Sequence, residues 1–386
     1  MSDALPKVLS FRAQRLMDDI SRSTIRVPWT ASGVKAAGES VVFNIPPVIA
    51  DLRSLKIYFE FSMNAGTTAY SIPVADAIIQ QVDVSVSGYS VTQLQRYGKV
   101  VSQLKQLTWP TYRQSALPQT FAVDAFNGPA VVQGFAYGAL SGSHNRYMDF
   151  SLFRNTVLQL QLVDPNVIGT ATGGTVAGVS NAYLVMDCVQ FAQDTYRRAL
   201  RSVKQFKLPF KHFSSFVSPS FTTSIDFPMT KATLSLDKII TFRVDPAYQT
   251  TTSKFYLSTF ETAGTINAEL GGMLLNGWAL QEAKHEIRTA TDMALAQDGP
   301  SGVGGIQSLN VTTNNWRSEF WASVYNMQLP GAAATNLVSG TSTYDIASPL
   351  VIHVAGTTAA SMLLVALEVT KSISIDTETG ELAQTE

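Results

Sequence analysis

From Gln81 to Val86 the chain alternates strictly, with Val82, Val84 and Val86 set against Gln81, Asp83 and Ser85. A period of two describes a strand with one face in a core and the other outside. Strand-like runs recur at 41–45 (stopped by Pro46-Pro47), 55–61, 131–137, 147–153, 157–163 and 182–191. The second half repeats the plan at 232–236, 239–244, 255–260, 309–312, 320–325, 350–354 and 362–369. Valine, phenylalanine, tyrosine and threonine dominate these runs, and turn residues punctuate them. Many short strands of this kind make a sandwich or a barrel.

Past Gly88 the period changes. Val91, Leu94, Tyr97, Val101 and Leu104 have helical spacing, which predicts a helix running straight out of the strand. The segment NGWALQEAKHEIRTATDMAL makes the same switch half a chain later. Setting Gly88-Tyr89 on Gly277-Trp278 places Val84 and Val86 on Met273 and Leu275, and Val91 on Leu280. Leu94 then falls on Ala283 and Val101 on Ala290, while Gly98 meets Ile287 as a mismatch. The expected arrangement is a flanking helix in each half. Tyr89 and Trp278 would pin it, and Leu94, Val101, Ala283 and Ala290 would pack it on the sheet.

Two loops rich in small residues, 165–181 and 329–343, each precede the last apolar strand of a half. The fold expected is all-β: two tandem eight-stranded jelly rolls, each with a flanking helix, plus a short N-terminal helix. The divisions expected are an N-terminal helix and arm at 1–30, a first roll at 31–196 and a basic connector at 197–212. A second roll at 213–376 and a polar tail at 377–386 complete the chain.

Residues 4–21 read as the amphipathic N-terminal helix. Leu5, Leu9, Leu16 and Ile20 share a face, with Lys7, Arg12 and Arg15 among the rest. Such a helix docks on a neighbouring subunit or touches anionic lipid. The connector carries Arg197, Arg198, Arg201, Lys204, Lys207 and Lys211, with no carboxylate between Asp194 and Asp226. A solvated connector, a nucleic-acid patch or a strip facing lipid headgroups all fit that run. Net charge is −1, which argues against nucleic acid as the main partner.

Charged residues are only 15% of the chain, against about 25% in ordinary soluble domains. A surface so poor in charge favours association. The lone Cys188 sits in an apolar run and reads as an inert buried thiol, in keeping with synthesis in a cytoplasm. The N-terminus lacks the apolar core of a signal peptide, and no run is long enough to span a membrane.

Catalytic chemistry finds little footing. His144, His212, His285 and His353 are scattered without a second ligand at metal spacing. No G-x-S-x-G elbow or phosphate loop occurs, and 299–305 reads as a flexible glycine-rich loop. The expectation is therefore no enzyme, with no catalytic residue, cofactor or metal.

The order of strand, Gly–aromatic break and helix over 82–104 resembles the double jelly-roll major capsid proteins of tailless phages with an internal membrane, the tectivirus type. The passage from the 182–189 strand through Tyr196 into a connector and a second β unit is similar too. The resemblance implies a homotrimer of pseudo-sixfold outline tiling an icosahedral virion shell. A vertex (penton) protein and an internal lipid membrane would be further partners, and sequence-specific nucleic acid none. It also implies that residues 5–20 face inward and that 165–181 and 329–343 are exterior or inter-subunit loops. A receptor- or carbohydrate-binding spike or fibre is the alternative reading of such a β-sandwich chain.

Overall fold

The computed structural model describes residues 20–30, 33–108, 119–122, 129–142, 146–191, 203, 205–256, 258, 263–275, 277–281, 322–328, 340–344, 346, 349–376 and 382–385. Eight strands build the two main sheets of the first roll. They are β1 (Ile20–Pro28), β2 (Ser40–Asn44), β3 (Ile49–Met63), β4 (Ile79–Val86), β5 (Tyr89–Gln95), β6 (Ala130–Gln133), β7 (Val157–Leu162) and β8 (Val176–Phe191). They pair as two sheets, in the orders β1-β8-β3-β6 and β2-β7-β4-β5. A helix, α1 (Tyr97–Thr108), lies between β5 and β6.

The second roll repeats this. Its strands are β9 (Gln205–Val217), β10 (Ser224–Met229), β11 (Leu236–Val244), β12 (Thr265–Leu270), β13 (Met273–Leu274), β14 (Leu280–Gln281), β15 (Ser323–Asn326), β16 (Leu350–Ala355) and β17 (Met362–Asp376). Its sheets run β9-β17-β11-β15 and β10-β16-β12-β13, with β14 also on β12. The connectivity matches strand for strand. Ile20 lies opposite Phe191 in the first roll and Gln205 opposite Asp376 in the second, an offset of 185 residues at both ends. Every ladder between named strands is antiparallel, and alternating residues feed the cores, as in the buried Val82, Val84 and Val86 of β4.

The rolls stand side by side and the same way up. Gln93 and Gln95 on β5 meet His212 and Ser215 on β9, in rising order on both strands. Phe153 meets Phe206 near one end, while Tyr256 donates a hydrogen bond to the Ile168 carbonyl near the other.

Several expectations are corrected. The chain does not enter a helix after Gly88. Ser87 (φ 51°) and Gly88 (φ 84°) form a two-residue turn, and Tyr89 begins the return strand β5. The helix starts only at Tyr97, after Arg96 has taken a left-handed φ of 56°. The counterpart of Gly88 is Gly272, because Gly271 (φ 64°) and Gly272 (φ 82°) make the matching turn between β12 and β13. Ile20 is the first residue of a strand, so the helix expected over 4–21 does not reach it. Part of the expected connector, 205–212, belongs to β9, and the tail pairs with the sheet through β18 (Leu382–Thr385). The loop at 165–181 holds a helical turn (Pro165–Ile168), a short strand (Thr170–Thr172) and the start of β8. The run at 255–260 does not open as a strand: Thr252–Phe255 is helical. Residues Leu5, Lys7, Leu9, Arg12, Arg15, Leu16, Ala283 and Ala290, and the helix expected in the second half, lie outside the described residues.

Candidate assembly surfaces

The outer face of the sheet β9-β17-β11-β15 is covered by the first roll. Phe213, Glu368 and Lys238 are neighbours in register across three strands. From the first roll, the Tyr137 hydroxyl donates to Glu368 Oε2 at 3.0 Å, and its ring meets Phe213 edge-on at 5.1 Å. Beside them Lys211 Nζ lies 2.8 Å from Asp237 Oδ2 and 3.8 Å from Glu368 Oε1. Asp237, fully buried, also accepts from Thr370 Oγ1 at 2.6 Å and Ser235 Oγ at 2.7 Å. Burial pushes the neighbouring Lys238 amine below its ordinary value. A strand whose nine residues are all buried, as in β11, has no solvent face. That explains how the charged side chains of β9, β11 and β17 can be enclosed.

Helix α1 is the wedge between the rolls. Residues Tyr97–Leu104 are buried on every side. Leu94 and Val101 are both buried, Leu94 on the strand β5 and Val101 on the helix. Tyr89, 70% exposed, pins nothing. Gly98 lets the helix lie directly on the 75–79 backbone: a Cβ there would stand 2.6 Å from the Ile79 carbonyl oxygen. The next residue, Lys99, donates to the Phe255 carbonyl of the second roll, with its ammonium 5.1 Å from the Tyr248 ring centre and 5.5 Å from that of Phe255.

Burial pushes the Lys99 amine well below its ordinary value, and this gives a pH prediction. The unfolded chain binds this proton up to about pH 10.4 while the folded chain releases it earlier. Stability therefore rises with pH between the two values, because the unfolded state holds more protons there. The buried Tyr97 and Tyr256 phenols, pushed upward by burial, act in the opposite sense near pH 10. Comparison with Lys99→Met cancels them. Wild type is expected to gain on the variant as pH rises from 7 towards 10 in urea titrations. A gap that stays flat with pH would show that the amine is not desolvated.

Among the described residues, the counterpart sheet of the first roll is uncovered. On the outer side of β1-β8-β3-β6 the Arg26 guanidinium lies 3.6 Å over the Tyr183 ring. Tyr183 in turn stacks on Tyr58 at 4.7 Å and 8°. Arg26 and Lys56, which flank Val185 in register, are exposed beside this stack, and both tyrosines are half-buried. In the second roll the edge at β13 and β14 pairs with no further strand among the described residues; Trp278 beside it is 64% exposed and packs no helix among them.

One pole of the molecule is apolar. The antiparallel ladders put the Ser87-Gly88 and Gly271-Gly272 turns, the 230–235 connection and the approach to β16 at the same end of the two rolls. Tyr89, Leu234, Met273, Leu274 and Tyr344 are exposed there. Arg154, whose carbonyl accepts from the Ser87 amide at 3.1 Å, and Lys207 supply exposed positive charge at that end. A shallow cavity of about 140 Å³ opens beside Tyr344, lined by Met229, Leu270 and Leu350 among others. Among the described residues, no group of three His, Cys, Asp or Glu side chains could hold a metal ion, and no helix is long and apolar enough to cross a membrane. His353 is held between Asp226 (2.7 Å) and Glu269 (3.2 Å) on a sheet surface.

No protein-family model matches the chain, and no curated protein matches it. Solved structures do. VP54 of PBCV-1, as fitted into a reconstruction of the virophage Sputnik, is 10% identical with a TM-score of 0.62, covering 95% of this chain and 97% of that one. The Faustovirus major capsid protein is 8% identical with a TM-score of 0.62, covering 96% and 97%. The mavirus major capsid protein is 9% identical with a TM-score of 0.50, covering 94% and 90%. Likeness at such low identity is likeness of fold, and here it extends over both rolls. The chain is a double jelly roll, the fold it shares with these viral capsid proteins.

Proposed function

We propose that this protein is a major capsid protein, which self-associates into trimers of pseudo-hexagonal outline and tiles an icosahedral virion shell. The observation that carries the reading is the pair of upright rolls in one chain, matched over nine-tenths or more of both lengths by capsid proteins of PBCV-1, Faustovirus and mavirus. Low surface charge supports it, since little repulsion opposes packing of copies. An assembled-subunit interface buries on the order of 2,000–5,000 Å². The site of synthesis would be a host cytoplasm, and a vertex protein would close the shell.

An internal membrane extends the proposal. The apolar pole supports it: tyrosine, methionine and leucine side chains on turns, flanked by arginine and lysine, suit a headgroup layer. The N-terminal residues Leu5–Leu16 and the basic run at 197–201 suit the same surface by composition.

Light scattering across a concentration series tests the first statement. A stable trimer that grows into sheets or shells is expected, and a species that remains monomeric overturns it. Flotation with phosphatidylcholine vesicles containing a fifth phosphatidylserine tests the second. Tyr89→Ser combined with Met273→Ser is expected to reduce co-flotation, and unchanged co-flotation, or none by wild type, overturns the membrane statement alone.

A further inference from the structure

The two rolls differ at one point of their shared plan. β7 and β16 hold the same place in their sheets, and the connection leading into each lies at the apolar pole. In the first roll that connection carries Phe150 and Phe153, seven and four residues before β7, and both rings are fully buried. Seven and four residues before β16 stand Thr343 and Ile346 instead. The backbone supports the match. The Phe150 amide donates to the Val48 carbonyl at 2.9 Å, just ahead of β3, and the Thr343 amide donates to the Thr233 carbonyl at 2.9 Å, just ahead of β11.

The second roll thus has smaller side chains where the first has two rings. Among the described residues, the ring beside them, Tyr344, stays 52% exposed instead of filling the gap. Thr343 and Ile346 both line the cavity of about 140 Å³. Its other walls come from both sheets: Leu236 and Leu367 from one, Met229, Leu270 and Leu350 from the other, all buried. We propose that this cavity binds the end of a hydrocarbon chain whose head is acidic, the chemistry shared by a fatty acid and an anionic lipid. An apolar cavity of roughly 150 Å³ stays dry and admits a molecule of benzene's bulk. The last several carbons of an acyl chain have that bulk, and their removal from water drives entry. Lys231, half-buried in the same lining, supplies positive charge for the head. The mouth opens beside Tyr344, so the chain enters from apolar surface. The inference goes beyond the assembly reading and needs neither a trimer nor a membrane.

Calorimetric titration of the full chain with decanoate, below its micelle concentration, tests it. Saturable binding of one decanoate per chain is expected. Ile346→Phe restores a ring where the first roll has Phe153. It is expected to weaken that binding about tenfold or more, and to melt at or above the wild-type temperature because it fills a void. A second measurement uses the wild-type protein alone. Decanoic acid with a photoreactive diazirine at its methyl end is offered free, or as one acyl chain of phosphatidylglycerol in vesicles. Cross-links within 229–236 and 343–350 are expected. Labelling from the vesicles supports the inference with a bilayer as the source of the chain, and labelling from the free acid alone supports it with a soluble source. No decanoate binding, equal binding by Ile346→Phe, or label that avoids both segments would overturn the inference while leaving self-assembly intact.

Discussion

Asp237→Ala is expected to cost about 3–5 kcal/mol of folding stability, the penalty for stranding a buried charge without its partner. Asp237 is fully buried and accepts from three donors, among them the Lys211 ammonium at 2.8 Å. Removing it leaves that cation with Glu368, 3.8 Å away and already shared with Tyr137. The Thr370 and Ser235 hydroxyls lose an acceptor as well. The Lys211→Met, Asp237→Ala double variant should recover part of the loss, because the Lys211 cation is then no longer buried without its partner. Urea unfolding of the four proteins in that cycle measures the coupling. A single-variant loss below about 1 kcal/mol would place the pair in a wetter setting, where exposed ion pairs are worth that little.

Gly98→Ala should destabilise by about 2 kcal/mol, against the direction that helix propensity predicts. Alanine within a helix is favoured over glycine by about 1 kcal/mol. At Gly98, however, the new methyl would meet the Ile79 carbonyl oxygen at 2.6 Å, the Asp76 carbonyl oxygen at 2.7 Å and Ala77 Cα at 2.9 Å. All three are backbone atoms, so no side-chain rotation relieves the contact. The helix must shift, and its neighbours on every side, with Tyr97–Leu104 all buried, limit the shift. Overpacking of this kind costs about 1–3 kcal/mol or more. A thermal melt decides the sign, and a raised melting temperature would mean that the helix has room the distances deny.

Much of the fold was legible because the strands alternate cleanly. Val82, Val84 and Val86 face a core, and the duplicated order of runs points to two rolls. The helix boundary was not. Val91 and Leu94 happen to stand three apart on a strand whose ladder slips at Val84/Ser85, which imitates helical spacing. The Ser87-Gly88 pair was the overlooked signal, since a small residue and glycine between alternating runs mark a tight hairpin. Gly271-Gly272 says the same in the second half and would have placed the repeat there instead of at Gly277. The ionic cluster went unseen because its members lie far apart in sequence. A glutamate inside MLLVALEV and an Asp-Lys pair entering an apolar strand were its traces. Nothing in a linear pattern says that both faces of β11 and β17 are covered. That follows only from how the two rolls stand together.

In both rolls the opening strand is zipped to the closing one, 171 residues downstream (20 to 191, 205 to 376). Neither unit can complete its hydrogen-bonding before its final segment has left the ribosome, and pairings of such long range form slowly. During that delay half-built barrels display bare strand margins in a crowded cell. Newly made chains should therefore depend on chaperone shelter, and only finished ones should offer a docking geometry, so under the proposed function translation itself sets when particle growth can begin.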